Sequence, residues 1–523
     1  MLKWRVEARL QMCKETEPTG TGNEPIGKQS LGSRSAAGFL WMLAQTLGSK
    51  VAGIVGQVIL ARLLVPRDYG LVAIAYMVVS LPAILRQTGI PQIIIQKGPT
   101  FGRWANAAFW MELALGTATM LLMLAVAPFA AYAYKAPVLF GLIAFISTTA
   151  VFNALMSVPI ARLTLDLQFK KLAALGLGYN VLAMLLSVGL AFYGFGPYSF
   201  VVPLPICMLL RLLAVWWLAP VRLHWHPQFY RWRAMAADSG RLMVGGLCYL
   251  LQIQADNLAL SIWHSKATVG QYFFAANLSN QVLQLLTLNL ASVLFPVLSR
   301  LNAEPARQTA AFLRATRVLA LVGIPICVAE AVLARPAILV FFGAKWLPAV
   351  AMLQVMALTA VVNLVGNTAA NLLQAQGRFH AAMVWALASA ATFTVLVFAG
   401  SIFGGAVAVA AAGLLAAVAI VPLKLLAAIR PGGGRWRDVG GVYFWPIGLA
   451  VAALLPAVGV ELFCRWPWAH PVASLGFAAV TATVLYVPLV LWLRQKESAE
   501  MLSRAGTVGV RTLIWLYGKH PGQ

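Results

Sequence analysis

The chain has 523 residues, 61% of them hydrophobic and only 10% charged, with 39 Lys and Arg against 15 Asp and Glu for a net charge of +24. No polar stretch is long enough to fold as a water-exposed catalytic domain, which excludes a soluble enzyme. The basic excess is spread over connectors between apolar stretches rather than gathered on one folded surface, so no nucleic-acid partner is expected.

Residues 1–35 include Pro18, Gly20, Gly22 and Pro25 and lack apolar periodicity, so they read as a disordered tail with no signal-peptide core. About fourteen apolar stretches follow, long enough to cross a hydrocarbon core of about 30 Å as helices. They run Ala36–Leu63, Leu71–Gln96, Asn106–Tyr134, Val138–Ile160, Leu172–Gly194, Tyr198–Pro220, Leu242–His264, Gln271–Ser299, Val318–Leu333, Leu347–Gln376, Ala381–Ser401, Val407–Leu426, Val442–Leu462 and Val472–Leu493. The fold class is therefore an all-α polytopic membrane protein. The basic connector 221–241 divides six spans (36–220) from six more (242–426), and because six is even both blocks start on the same side, as in a parallel repeat. Gly70-Leu-Val-Ala-Ile-Ala75 and Gly270-Gln-Tyr-Phe-Phe-Ala275 occupy matching places in the two blocks. Two pseudo-symmetric six-helix bundles, two added helices within 427–493 and a tail at 494–523 complete the expected organisation.

If both termini are cytoplasmic, the outer loops hold only Arg62, Arg67, Lys135, Lys266, Arg335, Lys345 and Arg465, and most remaining Lys and Arg lie inside. The five cysteines, Cys13, Cys207, Cys248, Cys327 and Cys464, show no metal-ligand spacing and imply neither disulfides nor a cofactor. Trp104, Trp110, Trp216, Trp217, Trp346, Trp466 and Trp468 read as anchors at the membrane interfaces.

Charged groups inside spans cost about 2.5 to 3.5 kcal/mol each on insertion scales, so each needs a reason. Thr46, Lys50, Gly53 and Gln57 share one face of the first helix, and Arg86 lies within the second span. These cations suit a phosphate-bearing ligand in a central cavity; the competing reading is an internal ion pair with Glu112. In the second block Asp256 and Glu330 are intramembrane carboxylates suited to H⁺ or Na⁺ coupling, or to a satisfied structural role. Asn277, Gln281 and Gln284 form one polar stripe and Asn363, Asn367, Asn371 and Gln374 another, fit either for carbohydrate hydroxyls or for joining helices. Arg211 reads as snorkelling and His264 as interfacial.

The stretches Ala61-Arg-Leu-Leu-Val-Pro-Arg-Asp-Tyr-Gly-Leu-Val-Ala73, Gln87-Thr-Gly-Ile-Pro-Gln-Ile-Ile-Ile-Gln96, Asn106-Ala-Ala-Phe-Trp110, Gln254-Ala-Asp-Asn257, Val269-Gly-Gln-Tyr272, Leu294-Phe-Pro-Val-Leu-Ser-Arg300 and Phe342-Gly-Ala-Lys-Trp346 appear in order along the chain. In these the sequence resembles the polysaccharide transporter family, flippases of lipid-linked oligosaccharide repeat units within the multidrug/oligosaccharidyl-lipid/polysaccharide superfamily. The resemblance implies alternating access in a bacterial inner membrane, with the sugar and pyrophosphate in a cavity between bundles and the lipid tail in the bilayer. It implies a role in O-antigen, capsule or exopolysaccharide assembly, with a lipid-linked oligosaccharide, membrane lipids and other polysaccharide assembly proteins as partners. Arg86 departs from the acidic or apolar residue expected before Gly89. A drug exporter of the same superfamily is the nearest rival, but Lys50 argues against a cavity for cations. An intramembrane polymerase or ligase is the other, and no loop carries its paired carboxylates.

Overall fold

The structure, a computed structural model, describes residues 31–86, 90–96, 101–221, 223–225, 227, 229, 232, 250 and 252–464. Among the described residues there is no strand. The helices are α1 (Leu31–Leu63), α2 (Pro66–Ala83, prolonged by a 3-10 turn Ile84–Arg86), α3 (Ile90–Gln96), α4 (Phe101–Ala133), α5 (Val138–Leu165), α6 (Phe169–Phe192), α7 (Tyr198–Val201), α8 (Pro203–Leu218), α9 (252–263), α10 (Lys266–Arg300), α11 (Pro305–Ala337), α12 (Ala349–Ala375), α13 (Phe379–Phe403), α14 (Ala406–Ile429) and α15 (Trp436–Cys464).

Ten of these helical stretches are long and apolar enough to cross a membrane, and α10 and α15 fall where the eighth and thirteenth spans were expected. Val472–Leu493, the tail 494–523, residues 1–30 and part of the seventh span lie outside the described residues. α1 begins at Leu31, inside the expected tail. The second expected span, Leu71–Gln96, is corrected: one helix covers Pro66–Ala83 with its 3-10 extension, and α3 is a separate short helix packed on α4 and α5. Pro91 at the second position of α3 fits a helix start, where its missing N–H costs no hydrogen bond.

In the first half α1 packs on α6, α4 on α5 and α5 on α8; in the second, α12 is sheathed by α10, α11 and α14, while α15 lies on α11. Phe129, Phe192, Val395 and Phe403 project outward, as befits helices whose outer faces meet lipid.

The repeat expected from sequence is carried by local geometry. Between α5 and α6 the N–H groups of Asp166, Leu167 and Gln168 bond the carbonyls of Arg162, Thr164 and Leu163; between α12 and α13 those of Gln376, Gly377 and Arg378 bond Leu372, Gln374 and Leu373 in the same pattern. Both turns place the middle residue in the left-handed region, Leu167 at φ 53° and Gly377 at φ 70°. Nothing lies within 4 Å of a Cβ built on Gly377, so Gly377→Ala should cost only the strain of holding a Cβ in the left-handed region. A drop in stability of about 1 kcal/mol is expected in thermal unfolding of the detergent-solubilised protein.

The halves meet where α2 and α10 begin. Pro66 cannot continue α1 and sets Val65 extended (φ −99°, ψ 157°), so the chain reverses into α2. α10 starts at the corresponding place in the second half, capped by Ser265 Oγ accepting the Thr268 N–H at 3.2 Å. The two helices then cross at their glycines with reciprocal contacts. A Cβ on Gly70 would sit 1.8 Å from the Lys266 carbonyl oxygen, and one on Gly270 1.8 Å from that of Pro66. Around this crossing, here called the gate, Tyr69, Phe200, Phe274, Phe342 and Trp346 interlock edge-to-face and stacked, with ring centroids 4.2 to 6.0 Å apart.

Polar latches reinforce the gate from both halves. The Trp346 indole N–H donates to the Ala61 carbonyl at 2.9 Å, Lys345 Nζ to the carbonyls of Arg62 and Leu64 at 2.8 and 2.6 Å, and Arg62 Nε to that of Phe341 at 2.7 Å. On the opposite flank the Tyr134 and Ser261 hydroxyls lie 2.9 Å apart. Trp346 is therefore no interface anchor: it is fully buried. Trp216 also turns inward, donating to the Leu155 carbonyl at 3.1 Å, whereas Trp217 is 83% exposed as an anchor should be.

Candidate functional site

Away from the gate, α1, α6 and α10 enclose a cavity of about 400 Å³ lined by Ser49, Lys50, Gly53, Asn180, Asn277, Asn280, Gln281 and Gln284. Lys50 and Gly53 share a helix face because they are one turn apart on α1, and no Cβ is present on Gly53 to fill the space. Asn277, Gln281 and Gln284 recur at the spacing of one face of α10.

The two stripes touch across the halves. Lys50 Nζ donates to Gln284 Oε1 at 2.6 Å, and the Gln281 amide donates to the Gln57 carbonyl oxygen. On the α6 side, Asn180 Nδ2 donates to Ser49 Oγ and to the Gly176 carbonyl, both at 3.0 Å. Lys50 is the one cation among the lining residues, and no carboxylate accompanies it. A cation surrounded by amides and a hydroxyl can hold a phosphate group by charge-assisted bonds while neighbouring amides bind hydroxyls.

The structure thus brings together Lys50, Asn277, Gln281 and Gln284, with Gln57 bonded to Gln281 at its edge. Thr46 is turned to its own helix, its hydroxyl donating to the Met42 carbonyl at 2.8 Å. Arg86 is elsewhere: it ends the 3-10 turn after α2, packed on α4, where Glu112 is the charge acting on it. Glu112 is 4% exposed.

Asn363, Asn367, Asn371 and Gln374 are not among the lining residues of this cavity. They form the open face of α12: Asn367 and Gln374 are exposed, while Leu364, Val365, Thr368, Ala369, Leu372 and Leu373 are all buried. The stripe therefore lies on the accessible side of a helix otherwise packed in protein.

The three carboxylates differ in their company. Asp256 Oδ1 accepts the Asn257 N–H at 2.8 Å, Glu112 acts on Arg86 through its charge, and both carboxyl oxygens of Glu330 are buried without a hydrogen-bond partner among the described residues. Arg211 does not simply reach for the surface, since its guanidinium lies 5.6 Å from the centre of the Tyr179 ring. His264 Nε2 lies 3.1 Å from the Ser401 carbonyl oxygen, so it links α9 to α13 as well as lying near a helix end.

Ser49, Asn180 and Asn280 escaped the sequence reading. Asn180 stands alone in an apolar span, and only the packing of α6 on α1 reveals its role; Asn280 was legible as a neighbour of Gln281 on the same helix.

The sequence profile of the polysaccharide biosynthesis protein family matches residues 59–351. Across 475 residues the chain is 24% identical to the succinoglycan biosynthesis transport protein ExoT of Rhizobium meliloti (strain 1021), covering 89% of this chain and 94% of that protein. It is 21% identical over 502 residues to the lipopolysaccharide biosynthesis protein WzxC of Escherichia coli (strain K12), covering 91% of this chain and all of that one. In fold it is similar to the lipid II flippase MurJ in an inward closed conformation, with a TM-score of 0.71, 14% identity, and coverage of 87% of this chain and 99% of that one.

Proposed function

Given that the chain belongs to the polysaccharide biosynthesis protein family, we propose that it flips a lipid-diphosphate-linked oligosaccharide, in the undecaprenyl class, across a bacterial inner membrane by alternating access. It is a multi-pass membrane protein and a polysaccharide-related transporter, similar along most of its length to the succinoglycan biosynthesis transport protein ExoT. The observation that supports the substrate class is the lone Lys50 among amides in a cavity whose walls come from both halves.

In this reading Lys50 holds the diphosphate, and Asn277, Gln281 and Gln284 bind sugar hydroxyls beside it. The stripe of Asn363, Asn367 and Asn371 extends the wet surface for a longer glycan. Both termini lie in the cytoplasm, as the distribution of Lys and Arg indicates, so the gate faces outward and is closed. Opening it while the opposite end narrows would expose the cavity to the other side. Of the three carboxylates we assign ion coupling to Glu330, because Asp256 accepts the Asn257 N–H and Glu112 interacts with Arg86, whereas Glu330 has no hydrogen-bond partner among the described residues. Arg86 is assigned to the ion pair with Glu112 rather than to the substrate.

The test is reconstitution into liposomes with a fluorescent oligosaccharide linked to a lipid diphosphate. Protein-dependent movement across the bilayer is expected under an imposed ion gradient. Absence of movement with several glycan headgroups, alongside gradient-driven efflux of cationic dyes, would instead favour the drug exporter.

A further inference from the structure

We propose that the rim of the gate holds a second anion site, which binds a phosphate group with residues from both halves and fastens the gate shut. Beside the α2–α10 crossing is a pocket of about 460 Å³ lined by Arg67 from the start of α2, Tyr134 and Lys135 after α4, Ser261 from α9, and Ser265 and Lys266 at the start of α10, among others. Three of its lining residues are Arg or Lys, and none is Asp or Glu. This pocket is separate from the cavity around Lys50, with which it shares no residue.

The three basic residues border one pocket, Arg67 and Lys135 exposed at its edge and Lys266 partly buried. Lys266 Nζ lies 3.3 Å from the carbonyl oxygen of Lys135, which holds two basic residues from opposite halves side by side. Burial holds the Lys266 ammonium below the usual lysine range, and the like charge of Arg67 pushes the same way. Like charges gathered in a partly enclosed space repel one another, and a bound oxyanion would turn that repulsion into attraction.

Neutral donors are at hand too. The paired hydroxyls of Tyr134 and Ser261 form one wall. Ser265 caps α10 through the Thr268 N–H, so the earlier amides of the first turn have no intrahelical acceptor and lie at the positive end of the helix dipole. The ligand class is therefore a phosphate oxyanion. It has two sources at a membrane rim: free phosphate or diphosphate from water, and the headgroup of a neighbouring lipid. Because the site draws on both halves, its occupancy stabilises the closed gate.

The experiment is thermal unfolding of the purified full chain in detergent, followed by tryptophan fluorescence, with sodium pyrophosphate titrated at ionic strength held constant with chloride. In parallel, phosphatidylglycerol is added to the micelles against diacylglycerol, which lacks the phosphate. A saturable rise in midpoint of about 2 to 5 °C is expected for at least one phosphate source. A response to pyrophosphate identifies a site open to free anions, and a response to phosphatidylglycerol alone identifies the lipid headgroup. The Lys135→Gln/Lys266→Gln double variant should lose the rise and, relieved of like charge, unfold without ligand no lower than wild type; Lys135→Arg/Lys266→Arg should keep the rise. A wild type that responds to neither source, or a Gln double variant that still responds, overturns the site. No transport is measured, so the outcome is independent of the flippase reading.

Discussion

Gly70→Ala should spring the gate. The added Cβ would lie 1.8 Å from the backbone carbonyl oxygen of Lys266, and no rotamer relieves a clash with main chain, so α2 and α10 must separate by about an ångström or more to restore contact distance. Overpacking of this kind costs about 1 to 3 kcal/mol, and the cost falls only on the state in which the helices touch. The closed population should drop by roughly fivefold to more than a hundredfold relative to the open one. Spin labels at Tyr132→Cys and Ile262→Cys, two exposed positions on opposite sides of the gate, would report this as a shift toward longer distances. Gly270→Ala should do the same, since its Cβ would meet the Pro66 carbonyl oxygen at 1.8 Å. Gly102→Ala, with open space around its Cβ, should leave the distances unchanged. If the Gly70 and Gly270 variants match wild type in both distance and transport, the crossing is no gate.

The same glycines show what was readable in the sequence. Membrane spans announce themselves because a helix must satisfy its own backbone and present apolar side chains to lipid, so most of the helices fell where their hydropathy put them. The echo between Gly70 and Gly270 was visible as a short repeat; that the two copies pack on each other follows only from the pairing of the halves. Pro66 and Gly377 end helices because their backbones limit or widen what the chain can do. Trp346 was misread because hydropathy does not say whether an aromatic ring faces lipid, headgroup or protein, and here the latch to Ala61 draws it fully inside. Arg86 was ambiguous for a related reason. A buried cation implies a partner, but whether that partner is Glu112 or a ligand depends on which helix packs beside the 3-10 turn. The cavity itself was half legible: Lys50 and the α10 stripe are visible by period, whereas their meeting across 234 positions of chain is a product of tertiary structure.

Lys50→Met should disable transport of a diphosphate-linked glycan while leaving the fold in place. Methionine keeps most of the apolar stem and removes only the charge, so packing on α1 is retained. The lost charge-assisted bond is worth about 1.5 to 3 kcal/mol, which weakens capture of the diphosphate roughly tenfold to more than a hundredfold. Flipping rates in liposomes, measured at rising density of the lipid-linked substrate, separate the two ways this loss can arise. If Lys50 holds the substrate before the gate moves, the deficit shrinks as substrate saturates the variant; if it acts only during the movement, the deficit persists at saturation. Lys50→Arg should recover part of the rate, because a guanidinium pairs well with phosphate but does not match the geometry that brings Lys50 within 2.6 Å of Gln284. A Lys50→Met protein that flips as fast as wild type at low substrate density would remove the cation from the substrate path and with it the main support for a diphosphate cargo. Faster export of cationic dyes by that variant would point instead to a cavity whose native charge had been repelling them.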